Sequence, residues 1–196
     1  MNPDHTFRLA LIAIAFMMLP VLVYHRVRSQ VSGERLDRRQ EGLFILLTLR
    51  PIGVVMWLAI LAYLINPRSM AWSSIGLPEW LRWAGVVLGV MGAALIMWAL
   101  PNLGKNLTDT VVTRKAHTLV STGPYRFVRH PFYDAVALYL AANALAAANW
   151  FLLLTGAAVV TLLVIRTKTE EEKLALRFGD AYRAYVSRTG RFLPRI

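Results

Sequence analysis

The chain has 196 residues, 57% of them apolar, a net charge of +11 and no cysteine. That composition belongs to an integral membrane protein with basic faces and excludes a soluble domain. Disulfides, thiolate nucleophiles and cysteine-based metal sites are excluded as well.

Residues 7–24 are apolar throughout and just long enough to cross a bilayer. They lack a basic n-region and a small-residue cleavage site, so they read as a retained helix. Residues 25–42 read as a polar connection carrying Arg26, Arg28, Arg35, Arg38 and Arg39. A second span over 43–65 contains Arg50-Pro51, where the proline predicts a kink and the arginine must face the bundle interior or an interface. Residues 66–82 read as a loop with Trp72 and Trp80 as interface aromatics. The third span, 83–100, has Gly85, Gly89 and Gly92 at near-helical spacing, which permits close approach of another helix.

Residues 101–131 form a long polar segment. A fourth span follows over 133–148, a short turn at Asn149-Trp150, and a fifth span over 151–165, so the last two spans should form an antiparallel hairpin. In the tail, Leu174, Phe178, Tyr182 and Tyr185 recur at helical spacing opposite Lys173, Arg177 and Arg183, which predicts an amphipathic helix continuing from the fifth span, with a bend at Gly179. The ending Arg188-Thr-Gly-Arg-Phe-Leu-Pro194 reads as an irregular segment folding back toward the membrane face. Eighteen of the 22 Lys and Arg fall on one side of such a five-span bundle. The positive-inside rule then places the N-terminus outside and the C-terminus in the cytoplasm. The basic residues flank apolar runs and cover no single soluble face, which argues against nucleic acid as a partner. His5, His25, His117 and His130 have no metal-ligand spacing.

Two charged clusters land on the same cytoplasmic side. The first is Gly123-Pro-Tyr-Arg-Phe-Val-Arg-His-Pro-Phe-Tyr133, where Pro131 biases His130 away from the α region and suits the first turn of a helix. The second is Arg166 with Glu170, Glu171 and Glu172 at the end of the fifth span; acidic groups at a membrane boundary are costly unless paired or functional. Simpler readings stand beside these. The arginines and tyrosines suit interfacial anchors, the glutamates suit a solvated helix start, and Arg166 and Glu170, four residues apart, suit an exposed intrahelical pair worth only about 0.3–0.5 kcal/mol. Tyr182 and Tyr185 read as packing, His117 as surface, and Lys105 and Asp109 as possible rim contacts.

Gly123-Pro124-Tyr125 with Arg129-His130-Pro131-x-Tyr133, followed by Arg166, Glu170-Glu171-x-x-Leu174, Phe178-Gly179, Tyr182, Tyr185 and the terminal Thr-x-Arg-Phe-x-Pro, resembles the isoprenylcysteine carboxyl methyltransferase family. The resemblance covers about residues 103–194; residues 1–100 match only as three apolar spans. It implies an all-α integral membrane protein of about five transmembrane helices, with a cofactor-binding catalytic half at 101–196 and a cytoplasmic C-terminal helical lobe. It further implies that S-adenosylmethionine is bound by Gly123, Tyr125, His130, Pro131, Tyr133, Glu170 and Glu171. Arg129, Arg166 and Glu170 are the implied catalytic groups, with Arg129 and Arg166 facing the acceptor or holding the glutamates, and no metal takes part. The acceptor is a lipid-like or prenylated molecule entering from the bilayer, with membrane lipids as the surroundings. The family commonly has a tryptophan where Leu107 stands. A carboxylate acceptor needs no general base, whereas an amine would require one, with Glu170 or His130 as candidates. Other classes compatible with the sequence are a phospholipid N-methyltransferase, a sterol-reductase-like membrane reductase and a non-enzymatic scaffold.

Overall fold

The computed structural model describes residues 3–30, 43–104 and 118–195. Six α-helices order the described chain: α1 (Pro3–Gln30), α2 (Leu43–Ile65), α3 (Glu79–Leu103), α4 (Pro131–Ala146), α5 (Trp150–Phe178) and α6 (Asp180–Arg188). Short 3-10 helices lie at Pro67–Ser73 and Gly123–Arg126. The all-helical expectation holds, and the described residues pair as β structure only through isolated bridges at Ser74–Asn149 and Val128–Gly190.

Among the described residues four helices are long and apolar enough to cross a membrane: α1, α2, α3 and α5. α4, the expected fourth span, is shorter than these four but runs between the same two ends of the bundle, from the α5 glutamates beside His130 to Arg82 beside Ala146. Its 16 residues reach about 24 Å at 1.5 Å per residue, short of a hydrocarbon core of about 30 Å. It lies packed among the others, with Ala135, Leu140, Ala142, Asn143, Ala144 and Ala146 buried.

Several boundaries move from their sequence expectations for local reasons. α1 runs on to Gln30, so His25, Arg26 and Arg28 are helical and not part of the connection. Nothing in that stretch breaks a helix, and Arg28 Nη1 donates to the Tyr24 hydroxyl one turn back (3.1 Å). The rest of that connection, with Arg35, Arg38 and Arg39, lies outside the described residues. α3 starts at Glu79 directly after Pro78, which takes Trp80 and Arg82 out of the expected loop. Trp150 is the first residue of α5 and not a turn residue, because Asn149 caps the helix by accepting from Leu152 N (3.0 Å). The link between α4 and α5 closes through Ala148, which adopts a positive φ of 49°. Trp72 and Trp80, expected at an interface, are 60% and 70% exposed.

The three glycines of α3 face α4 within this one chain. A Cβ at Gly85 would lie 2.8 Å from Ala146 N and from Leu145 Cβ, and one at Gly92 would lie 3.0 Å from Ala135 O. Overfilling such a contact costs about 1–3 kcal/mol. Gly85→Ala is therefore expected to lower the unfolding midpoint of the detergent-solubilised chain. Gly53→Ala, where no atom lies within 4 Å, should leave it unchanged or raise it.

α5 positions the charged cluster. It continues unbroken for 29 residues, about 43 Å at 1.5 Å per residue, while its apolar run ends at Ile165. Arg166 and the three glutamates therefore project beyond the apolar layer. Gly179, at φ +53°, ends α5 and starts α6. The expected bend is thus a break between two helices, set by a backbone conformation that favours glycine.

Candidate active site

The two sequence clusters meet at the start of α4. Pro131 takes the first helical position and His130, at φ −125° and ψ 51°, sits outside the helix just before it. The His130 carbonyl accepts from Tyr133 N (2.9 Å) and Asp134 N (3.2 Å), which leaves its ring able to turn toward α5.

Glu171 is the hub of the cluster. Its Oε1 accepts from Arg129 Nε (2.8 Å), His130 Nε2 (3.1 Å) and Arg191 Nε (3.2 Å), and its Oε2 accepts from Arg191 Nη2 (2.5 Å). The Glu171 and Arg129 side chains are 13% and 10% exposed. Burial works to raise the carboxyl's pKa, but hydrogen bonds from His130, Arg191 and Arg129 outweigh it and hold the group well below the usual carboxylate range. Neighbouring Glu170 points to a different partner: its Oε2 accepts from the Tyr133 hydroxyl (2.8 Å). The Tyr133 ring stacks on His130 at 5.4 Å between centroids.

The terminal segment closes the cluster and does not simply lie back on the membrane face. Arg129 N donates to Gly190 O (2.9 Å), His130 N to Arg191 O (3.1 Å) and Gly190 N to Phe127 O (3.2 Å). Arg129 Nη1 reaches Thr189 O (2.5 Å), and Phe192 packs against His130 with ring centroids 5.8 Å apart. Gly190 has no room for a side chain, since a Cβ would lie 1.6 Å from Leu193 O.

A second layer holds the loop before α4. Gly123 adopts a φ of +59°, and a Cβ there would run into the Asn102 side chain at 2.4–2.6 Å. Asn102 Oδ1 accepts from Thr122 Oγ1 (3.0 Å). The Tyr185 hydroxyl donates to Tyr125 O (2.7 Å), tying α6 to the loop. The hydroxyls of Tyr125 and Tyr182 are buried without a hydrogen-bond partner among the described residues.

The structure therefore gathers Arg129, His130, Tyr133, Glu170 and Glu171 into one network, with Gly123 and Tyr125 in the adjoining loop and Arg166 one helical turn before Glu170. Arg191, Thr189 and Asn102 were not among the site residues expected from the sequence. The terminal Thr-x-Arg-Phe-x-Pro motif was the signal for the first two. Asn102 had none, because its role follows from the close approach of α3 to Gly123. Leu107, Lys105, Asp109 and His117 lie outside the described residues.

Burial pushes the phenols of this lobe up: Tyr185 to about 12, and Tyr125 and Tyr182 further. Unfolded phenols ionise near pH 10 while these stay protonated in the fold. Stability from them is thus complete below about pH 10 and is lost as pH rises above it. The unfolding midpoint is expected to fall between about pH 10 and 12, and to fall less in Tyr182→Phe, a difference that thermal melts across that range will read.

Between the helices lies an apolar cavity of about 440 Å³, bounded by all five of α1–α5, with Arg26 as a charged lining residue. Phe132 and Val136 of α4 line it, so the same first turn of α4 borders the cavity through Phe132 and the polar network through Tyr133.

Residues 85–176 match the model of the isoprenylcysteine carboxyl methyltransferase family. The chain is 30% identical over 133 residues to protein-S-isoprenylcysteine O-methyltransferase of Rattus norvegicus and to that of Homo sapiens; each match covers 66% of this chain and 46% of the relative. It is 28% identical over 119 residues to the protein of the same name from Dictyostelium discoideum, covering 59% of this chain and 50% of that one. The chain spans about half the length of the curated relatives it matches.

Proposed function

On the premise that residues 85–176 carry the pattern of the isoprenylcysteine carboxyl methyltransferase family, we propose that the chain transfers a methyl group from S-adenosylmethionine to the carboxylate of an isoprenylcysteine-type acceptor. The observation that carries this reading is the first turn of α4, which joins a buried ionic network to an apolar cavity between the helices. An acceptor with a long apolar tail and a carboxylate end needs that pair of environments side by side.

The residues fit the donor. The unpartnered buried hydroxyls of Tyr125 and Tyr182 are polar atoms that a polar ligand would satisfy. Glu170, held by Tyr133, supplies negative charge for its cationic end. When bound, S-adenosylmethionine would supply an activated methyl carbon on sulfonium for a carboxylate oxygen, with the neutral thioether as leaving group. Because the acceptor is already an anion, the protein needs no general base. Its work is to align the partners and keep water out.

In this reading Glu171 is spent on Arg129, His130 and Arg191, and its task is to fix their positions. Arg166 holds the acceptor carboxylate through its guanidinium fork. The segment 189–194 seals the network from solvent. The charge bias of the sequence supports a cytoplasmic site.

The test is transfer of labelled methyl from S-adenosylmethionine to an S-farnesyl cysteine in membranes holding the full chain. The proposal expects a base-labile ester that is not formed by Arg166→Ala. Label found instead as base-stable N-methyl on phospholipid would replace the proposal with the phospholipid N-methyltransferase reading.

A further inference from the structure

The end of the bundle opposite the Glu171 network carries a second built pocket. α5 starts there and ends at the network, so the two lie on opposite faces of the apolar layer. A cavity of about 360 Å³ opens between the start of α1, the end of α2 and the 3-10 helix at Pro67–Ser73. Its lining includes His5, Arg8, Arg68, Asn66, Asp4 and Tyr63.

The charges there do not cancel. Asp4 is paired with the buried Arg82 at 2.8 Å, and Arg82 Nε donates to Ala146 O (3.0 Å). Arg8 donates to Leu64 O (2.7 Å) and Ile65 O (2.8 Å), which satisfies the last carbonyls of α2 but leaves its positive charge in place. Arg8 and Arg68 therefore give the cavity a net positive field, with His5 at its side. Tyr63 is only 4% exposed; its hydroxyl lies beside Arg82, which can only donate to it, and has no acceptor for its own proton among the described residues. A buried donor without an acceptor is costly, and an anion in the cavity would satisfy it.

Depth in the membrane adds to this. Trp72 packs on Trp150 and Phe151 with centroids 5.5 and 5.2 Å apart, and Trp72 and Trp80 are strongly exposed. Exposed tryptophans at a helix end mark the headgroup layer. A phosphate at that depth would face the Arg8 and Arg68 guanidinium groups and the Tyr63 phenol that line the cavity.

We propose that this pocket binds a phosphate group, as the headgroup of an anionic lipid or as free phosphate, on the face opposite the methyl-transfer site. Arg8 and Arg68 supply its charge partners and Tyr63 its buried donor. The site does not depend on the methyltransferase reading.

The test is native mass spectrometry of the delipidated full chain with added dioleoyl phosphatidic acid, paired with thermal melts in inorganic phosphate. Arg68 and Tyr63 are the informative positions, because Arg68 is exposed and Tyr63→Phe keeps the ring, so both variants should fold. The expected result is one retained lipid, with affinity about tenfold lower in Arg68→Gln and in Tyr63→Phe. Arg183→Gln, which removes the same charge from exposed α6, should bind as wild type. Displacement of the lipid by millimolar phosphate would identify the free ion as a sufficient ligand, and failure to displace it would identify the lipid. Equal lipid retention and equal phosphate-induced melting shifts in wild type, Arg68→Gln and Tyr63→Phe would overturn the proposal.

Discussion

Glu171→Gln is expected to lower stability by about 3 kcal/mol and to abolish the methyl transfer proposed above. Removing one member of a buried ion pair costs about 3–5 kcal/mol, because the remaining charge stays buried without a partner. Here the charge left buried is Arg129, 10% exposed, beside a His130 ring 6% exposed that loses its acceptor, while Arg191 at 44% can turn to water. That exposure places the cost at the lower end. For a chain of this size about 3 kcal/mol corresponds to roughly 6–12 °C in the unfolding midpoint. The pH dependence has a definite sign. The folded carboxylate is held well below the usual range, so its contribution is complete above the unfolded pKa of about 4.5 and is lost as pH falls further. The gap between wild type and Glu171→Gln should therefore be full at pH 7 and narrow below about pH 4.5. Paired thermal melts measure both, and equal midpoints at pH 7 would show that the network does not hold the site.

Glu170→Gln is expected to act on the ligand and not on the fold. Its carboxylate has a neutral partner, the Tyr133 hydroxyl, which the amide oxygen of glutamine can also engage. The lost charge should weaken S-adenosylmethionine binding by about 10- to 100-fold, the range for a charge-assisted hydrogen bond of about 1.5–3 kcal/mol. The melting midpoint should move by less than in Glu171→Gln. S-adenosylhomocysteine, which lacks the sulfonium charge, should lose less affinity than the methylated donor. Two adjacent glutamates would thus separate cleanly, one by stability and the other by affinity for a cation.

The difference between these neighbours marks how far the sequence could be read. Helix content, the second span at 43–65, the glycine face of α3 and the pairing of the His-Pro cluster with the α5 glutamates were legible, because each rests on periodicity, spacing or a motif. The resemblance to the methyltransferase family, drawn from those motifs over about residues 103–194, is borne out as far as residue 176, where the match to the family model ends. The division of labour between Glu170 and Glu171 was not legible. It depends on which way two successive side chains of a helix point, and about 100° of rotation sends one to Tyr133 and the other to Arg129 and Arg191. Arg191 lay in plain view within the terminal motif, yet its reach across 20 residues to Glu171 requires the tail to pair with residues 127–130, a contact that local propensity does not encode. The fourth span was read through Ala148 because its apolar run extends that far, whereas α4 ends at Ala146 and Ala148 makes the turn into α5.

The claim on which the functional reading rests is that the network at the start of α4 binds a methyl donor. Calorimetric titration of the purified full chain in detergent with S-adenosylmethionine and S-adenosylhomocysteine tests it most directly, with Glu170→Gln and His130→Ala alongside. Binding by the wild type that weakens at least about tenfold in both variants is the predicted result. A folded wild-type protein that binds neither compound would contradict the account.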